Sequence, residues 1–202
     1  EMKHLLATQI LPKIANENIT QLKTRIIRTF GMGESNIYEN MKDWIAKNST
    51  VKVAYYPKFH GVDIKLRYSA ESEASVQKLI TSLTPVIYGF DDETIEEKIA
   101  EKLIEKGYTI AVAESCTGGL ISSRLTDVPG SSQYMMVGAV TYSNAAKIQM
   151  LGVKPKILEK YGAVSREVAL EMAMGVRKIG NCNVGIATTG IAGPSGGTPE
   201  KP

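Results

Sequence analysis

Histidine and cysteine are scarce in this chain, with two of each among 202 residues: His4 and His60, Cys116 and Cys182. Two cysteines cannot build a disulfide framework, and the set is too small for a protein-only zinc site. Two histidines leave little material for imidazole-based catalysis. Aromatic residues make up only 6%, so any base-stacking platform would have to use few rings. The charge is nearly balanced, at +3, which by itself is too little to read as a nucleic-acid footprint. No stretch approaches the 18 or so apolar residues that a membrane span needs. No charged-then-apolar leader opens the chain, so a cytoplasmic, reducing location is the default expectation. What remains is 43% hydrophobic and 22% charged, ordinary for a globular protein of one large or two small domains. The chain runs from Glu1 to Glu200-Lys201-Pro202, beyond a Gly/Pro-rich stretch, and we read it as a fragment.

Periodicity divides the chain. Residues 1–16 read as the end of a helix. Leu22, Thr24, Ile26, Arg28 and Phe30 suggest a strand whose alternation is broken by Ile27. Ile37, Tyr38, Met41, Trp44 and Ile45 recur at helical spacing. Val51, Val53 and Tyr55 alternate as a strand stopped by Pro57. Val62, Ile64, Leu66 and Tyr68 alternate again, and Ala74, Leu79, Ile80 and Leu83 predict a further helix. This β-α-β-β-α order over about 20–88 predicts a small α+β domain. After a boundary near 88–93 the pattern changes. Ile95, Ile99 and Leu103 form a helical stripe. Strands at 109–113, 137–142 and 183–188 then alternate with helices ending near Leu125, Leu151 and Ile179. That alternation predicts an α/β layered domain.

Three places could carry chemistry. Glu114-Ser115-Cys116-Thr117-Gly118-Gly119-Leu120 joins a strand to a helix. Its small residues would let backbone N–H groups approach an anion, although the Gly-Lys-Ser/Thr of a P-loop is missing. The plainer reading is a tight turn with Ser115 or Thr117 as N-cap. Cys116 is a conceivable nucleophile, but small buried cysteines are commoner. The second place, Thr188-Thr189-Gly190-Ile191-Ala192-Gly193-Pro194-Ser195-Gly196-Gly197, follows a strand, where α/β folds put ligand loops. Its glycines suit either a backbone cradle or a flexible surface loop. In the third, a Gly130-Ser131-Ser132 turn precedes Tyr142 and Lys147. If Asn144 caps the next helix, Lys147 falls in its first turn, where the dipole opposes a cation and lowers its pKa. A desolvated neutral lysine can serve a serine as base. The plainer reading is an exposed lysine on a short helix.

Taken together, Ala113–Gly119, Gly130-Ser131-Ser132, Val140–Lys147, Gly162-Ala163-Val164-Ser165 and Gly190-Ile191-Ala192-Gly193-Pro194-x-Gly196-Gly197 resemble the nicotinamide mononucleotide deamidase domain of the CinA family, the competence/damage-inducible proteins. Five motifs in order cover 92–202. Residues 20–90 are similar to that family's KH-like linking domain. Residues 1–19 resemble the end of its molybdopterin-binding-like N-terminal domain. The resemblance implies hydrolysis of the mononucleotide's carboxamide to nicotinate mononucleotide and ammonia, without metal or redox cofactor. Carried over by motif, it implies Ser132 as nucleophile, Lys147 as base and Tyr142 as helper. It implies substrate contacts from Glu114, Ser115, Thr117, Gly118 and Gly119, and from Thr189, Gly190, Ile191, Ala192, Gly193, Gly196 and Gly197. A homo-oligomer is expected. The family's domain continues past Lys201-Pro202, so the sheet is expected to be incomplete, and none of the N-terminal domain's pyrophosphatase activity is expected.

Two other readings stand beside this one. The KH-like region could bind nucleic acid, but residues 20–90 hold no Gly-x-x-Gly clamp, and Lys52, Lys58, Lys65 and Arg67 read as a solvated strand face. A partner-binding scaffold, for instance for a RecA-type protein, is the other, and no motif marks such an interface.

Overall fold

The computed structural model describes residues 2–12 and 22–193. A short helix α1 (Met2–Leu5) runs on into a π-helical turn at Leu6–Ile10. The rest forms two compact units, divided between Thr94 and Ile95.

In the first unit, β1 (Lys23–Thr29), α2 (Glu34–Lys47), β2 (Lys52–Lys58), β3 (Gly61–Tyr68), α3 (Glu73–Leu83) and β4 (Ile87–Phe90) follow in order. The strands make an antiparallel sheet ordered β2-β3-β1-β4. Ile37 and Met41 of α2 and Val76, Leu79 and Leu83 of α3 bury one face of it, against Ile27, Val62, Ile64, Leu66 and Tyr68. Three expectations change here. The core face of β1 is carried by Ile27 and Thr29, the parity opposite to the Leu22–Phe30 set, and both Leu22 and Phe30 are exposed. Thr29 tolerates that burial because its hydroxyl donates to the Val62 carbonyl and accepts from the Val62 N–H. The second strand runs through Pro57 instead of stopping there. Strand β2 lies at the sheet edge, where a missing N–H leaves no ladder bond broken. Finally, β4 follows a Pro-containing 3-10 turn (Thr84–Val86) and was hidden by its short length.

The second unit carries α4 (Ile95–Glu105), β5 (Ile110–Glu114), α5 (Leu120–Thr126), β6 (Met135–Val140), α6 (Asn144–Leu151), α7 (Pro155–Tyr161), α8 (Arg166–Ile179) and β7 (Val184–Ala187). Its sheet is parallel and ordered β6-β5-β7. The central strand β5 is buried along its whole length. Ile110 and Val112 face a core with Ala100, Leu103, Leu125 and Tyr134. Ala111 and Ala113 face another, with Leu151, Val168, Met172 and Val176. Burial on both faces explains why β5 reads as an unbroken small-apolar run. The sequence pattern did not reveal α7, which starts with Pro155 at its first position and is followed by Gly162. Among the described residues no helix is long and apolar enough to cross a membrane.

Candidate functional site

Parallel strands deliver the loops that follow them to one edge of the sheet. Loops 115–119, 141–143 and 188–193 leave from the C-terminal ends of β5, β6 and β7, the position where such sheets bind ligands. A cavity of about 330 Å³ opens there. Ser115, Cys116, Tyr142 and Lys147 line it, with Ala163 and Val164 and the run Thr189–Gly193.

Lys147 is the least ordinary residue in this cavity. It is 1% exposed, and among the described residues its amine meets two carbonyls and a hydroxyl, with no carboxylate ion pair. Its Nζ lies 2.8 Å from the Thr141 carbonyl oxygen, 3.0 Å from the Tyr142 carbonyl oxygen and 3.0 Å from Ser115 Oγ. Burial pushes its pKa below the ordinary lysine range, against an opposing influence of Cys116. A neutral amine has two N–H donors and one lone pair. Protonated, Lys147 donates to both carbonyls and to Ser115 Oγ; once deprotonated, it keeps two donors for the carbonyls and turns its lone pair to the Ser115 hydroxyl. That is the geometry of a lysine accepting a serine proton. The helix carrying Lys147 is capped by Ser143, whose Oγ accepts from the Ala146 N–H at 3.1 Å. Asn144 is therefore the first helical residue and not the cap, and Lys147 sits one turn in.

Ser115 itself is 7% exposed, at the end of β5. The turn after it is held from beneath by Glu114. The Glu114 carboxylate is fully buried and accepts from the N–H groups of Gly119 (3.1 Å), Ile121 (3.0 Å) and Ser122 (2.8 Å), and from Ser122 Oγ (2.7 Å). Burial pushes its pKa up, but these bonds, with Thr117 contributing, outweigh it and hold the group below the usual glutamate value. The carboxylate thus caps α5 and meets the positive end of its dipole. The Glu114 carbonyl also accepts from the Thr141 N–H at 2.7 Å, which ties the serine's strand to the residue whose carbonyl holds Lys147. Thr117 and Thr188 join the two loops by a 2.7 Å hydroxyl contact. Gly118 and Gly119 adopt φ of 61° and 101°, the left-handed turn that leads into α5.

The expected site residues therefore divide. Tyr142, Lys147, Ser115, Thr189, Gly190, Ile191, Ala192 and Gly193 meet at one cavity. Glu114, Thr117, Gly118 and Gly119 form the turn that follows β5 and are not among the residues lining this cavity; the Glu114 carboxylate bonds within that turn and the Thr117 hydroxyl meets Thr188. Gly196 and Gly197 lie outside the described residues. Ser132 requires a correction. It sits in a 3-10 turn (Ser131–Gln133) before β6, exposed, whereas Lys147 follows β6. The six residues of β6 separate them by roughly 20 Å of strand at about 3.3 Å per residue. The Gly130-Ser131-Ser132 turn instead leads into the wholly buried Tyr134, whose hydroxyl donates to the Leu125 carbonyl at 2.6 Å. The wall residues Ala163 and Val164 were not singled out, although they lie in a quoted motif. They come to the cavity because Ser165 caps α8 and Thr189 Oγ1 donates to the Ala163 carbonyl at 2.9 Å.

Comparison with known proteins agrees with this architecture. A family model described as the CinA C-terminal domain matches residues 92–202, and one described as the damage-inducible protein CinA KH domain matches 24–109. A protein of Acetivibrio thermocellus with the provisional name competence-damage inducible protein is 46% identical over the whole chain, which covers 51% of that relative. A CinA-like protein of Geotalea uraniireducens is 41% identical, again over the whole chain and 50% of its own length. The chain thus spans about half the length of the curated relatives it matches. Among solved structures, the Agrobacterium tumefaciens competence/damage inducible protein superimposes with a TM-score of 0.50 at 46% identity, covering 53% of this chain and 65% of that one. A CinA superfamily protein of Escherichia coli gives 0.51 at 37% identity, covering 53% and 62%.

Proposed function

The chain belongs to the CinA family, and from that premise we propose that its C-terminal unit is an amidohydrolase that converts nicotinamide mononucleotide to nicotinate mononucleotide and ammonia. One observation carries the reading: a buried lysine amine, held by two carbonyls, is aimed at a serine hydroxyl beside a cavity. The nucleophile proposed is Ser115, in place of Ser132.

In this reaction Lys147 Nζ takes the Ser115 proton as Oγ attacks the carboxamide carbon. The carbonyl oxygen becomes an oxyanion, and backbone N–H groups of the surrounding loops are suited to hold it. The intermediate collapses with cleavage of the C–N bond, and Lys147 returns the proton to the departing amine, releasing ammonia. An ester to Ser115 remains. Water then attacks it, Lys147 again taking a proton and passing it back to Ser115 Oγ, and nicotinate mononucleotide leaves. A lysine suits this cycle because its pKa can be tuned by desolvation, which an arginine's cannot. Tyr142 lies at the mouth, 74% exposed, with its ring free to cover a bound ring while its carbonyl holds Lys147. Residues Thr189–Gly193 form the opposite wall and are suited to the ribose and phosphate.

The test is ammonia release from nicotinamide mononucleotide by the purified protein, followed with wild type and Ser115→Ala. Turnover that disappears in the variant supports the proposal. No turnover in the wild type of a full-length protein, or equal turnover in both, refutes it.

A further inference from the structure

Thr141 breaks the rule that buried polar groups are paired. It is fully buried, yet among the described residues its Oγ1 meets no hydrogen-bond partner. The other buried side-chain oxygen left so is Asp63 Oδ1 of the first unit, whose carboxylate is held through its second oxygen by Arg28. A buried hydroxyl without a partner costs stability, and valine has nearly the same shape without that cost. The backbone of Thr141 is fully used. Its N–H donates to the Glu114 carbonyl at 2.7 Å, and its own carbonyl accepts from Lys147 Nζ at 2.8 Å. The hydroxyl alone is left over.

Its side chain lies on the lysine's side of the sheet. Val137 and Ala139 of β6 pack into the core with Leu151, Val168 and Met172. Thr141 continues their alternation, so its side chain leaves the same face. Lys147 and Leu151 are the buried residues of α6, one turn apart on one helix face. The lysine stem therefore comes down over the face that carries the Thr141 side chain, and its amine ends on the Thr141 carbonyl. Little else near that amine responds to charge. Among the described residues, the titratable side chains sharing the cavity with it are Cys116 and Tyr142. Helix α8 turns Val168, Met172 and Gly175 toward α6, and α7 turns Leu158 into the same core. Glu171 of α8 is taken by Lys154, and the Glu114 carboxylate is bound to the first turn of α5.

We propose that Thr141 is a positioning residue for the amidase reaction, its free hydroxyl serving as the local solvent of the Lys147 amine. The two carbonyls that hold the amine are fixed by the backbone. A hydroxyl with no other partner can turn, oxygen toward the amine while it is charged and hydrogen toward it once it is neutral. Burial depresses the proton affinity of Lys147. The turning hydroxyl limits that depression, so the amine still holds a proton firmly enough to take it from Ser115 and carry it to the departing ammonia. A base whose pKa falls too far loses the driving force for proton transfer. The stability lost at the unpaired hydroxyl is thus matched by a gain at the base, and local rules tend to break at such sites.

The experiment compares Thr141→Val, which removes the hydroxyl at nearly constant shape, with Thr141→Ser, which keeps it, both in the whole protein. Two titrations are read. Carbon-13 NMR of labelled lysine follows the Lys147 Cε, identified as the signal missing from Lys147→Arg, and needs no turnover. The pH–rate profile of ammonia release rests on the amidase reading. In Thr141→Val the Lys147 titration and the rising limb of the profile should move to lower pH by about half a unit or more. Its plateau rate should fall severalfold, and its melting temperature should be no lower than that of the wild type. Thr141→Ser should titrate as the wild type does. A wild type without turnover would refute the amidase reading and leave the NMR titration to decide on Thr141. The proposal is overturned if Lys147 in Thr141→Val titrates as in the wild type or at higher pH, or if Thr141→Ser shifts as Thr141→Val does. It is overturned too if Thr141→Val melts clearly lower or fails to fold, because the hydroxyl would then be shown to hold the fold.

Discussion

Lys147 Nζ and Ser115 Oγ lie 3.0 Å apart, although 32 positions separate them in sequence and they belong to different strand–helix connections. The pair forms because β5 and β6 are parallel neighbours, with Glu114 opposite Val140 at their C-terminal ends. The serine follows one strand and the lysine follows the other. Ser115→Ala is therefore expected to lower ammonia release from nicotinamide mononucleotide by at least about a thousandfold, the scale on which enzymes lose their nucleophile. Ser132→Ala, at the opposite end of β6, should keep turnover within about twofold. Steady-state assays of both variants decide between the two serines, and loss in Ser132→Ala with retention in Ser115→Ala would reverse the assignment.

Lys147 acts as base only without its proton, so turnover should rise with pH. Burial lowers its pKa, which places the rise below the ordinary lysine range. Stability should follow the same sense. Between the depressed folded value and the ordinary 10.5, the unfolded chain binds more protons than the folded one, so this residue's contribution makes the protein more stable as pH increases through that window. Lys147→Arg stays protonated and should be as inactive as Lys147→Met. A pH–rate profile with its rising limb in the ordinary lysine range, or an active Arg variant, would remove Lys147 from the base role.

How far the site could be read in the chain turns on one rule. The loops 114–119 and 189–193 were legible because small residues and glycine after an apolar run mark the C-terminal end of a buried strand. Lys147 was legible as a cation just inside a helix. The choice of serine was not, because the carry-over by motif put the nucleophile at Ser132. Yet Ser132 precedes a strand and Lys147 follows one, and in a parallel sheet those positions lie at opposite ends. Glu114 looked like a ligand contact since an acid beside a Gly-rich loop carries no mark of direction. Only the four donors around it show that it faces inward. In the first unit, the β1 face was misjudged because a buried threonine, satisfied by a backbone pair with Val62, carries no hydrophobic signal.

Glu114 predicts a combined effect on stability and rate. Glu114→Ala strands the N–H groups of Gly119, Ile121 and Ser122 inside the protein, and leaving buried donors unsatisfied costs about 1–3 kcal/mol. Its carboxyl is held below the usual glutamate value, so the stability it adds is complete above the ordinary 4.5 and disappears as pH falls through the lowered value. Urea unfolding of wild type and variant at neutral and acidic pH should show a gap at neutral pH that narrows in acid as the charge-linked part is lost. The rate of ammonia release should fall as well, because the turn carrying Ser115 loses its support. A gap independent of pH would mean that the carboxylate's charge does not matter.

The glycines separate a turn-forming role from a ligand-contacting one. Gly118 has φ of 61° with nothing within 4 Å of where a Cβ would stand, and it is not part of the cavity wall. Gly118→Ala pays only for the left-handed backbone, about 1–2 kcal/mol, and should leave the dissociation constant for nicotinamide mononucleotide within about twofold. Gly190 is different. It lines the cavity, its φ is not in the left-handed region, and a Cβ there would stand 3.2 Å from Cys116 Sγ. A side chain larger than alanine at that position has the sulfur on one side and the ligand's space on the other. Gly190→Val should therefore raise the dissociation constant by more than tenfold in a protein that still melts cooperatively. Isothermal titration and thermal melts on the two variants supply both numbers. If Gly118→Ala abolishes binding in a folded protein while Gly190→Val binds normally, the ligand lies over the 115–119 turn and not against the 189–193 wall.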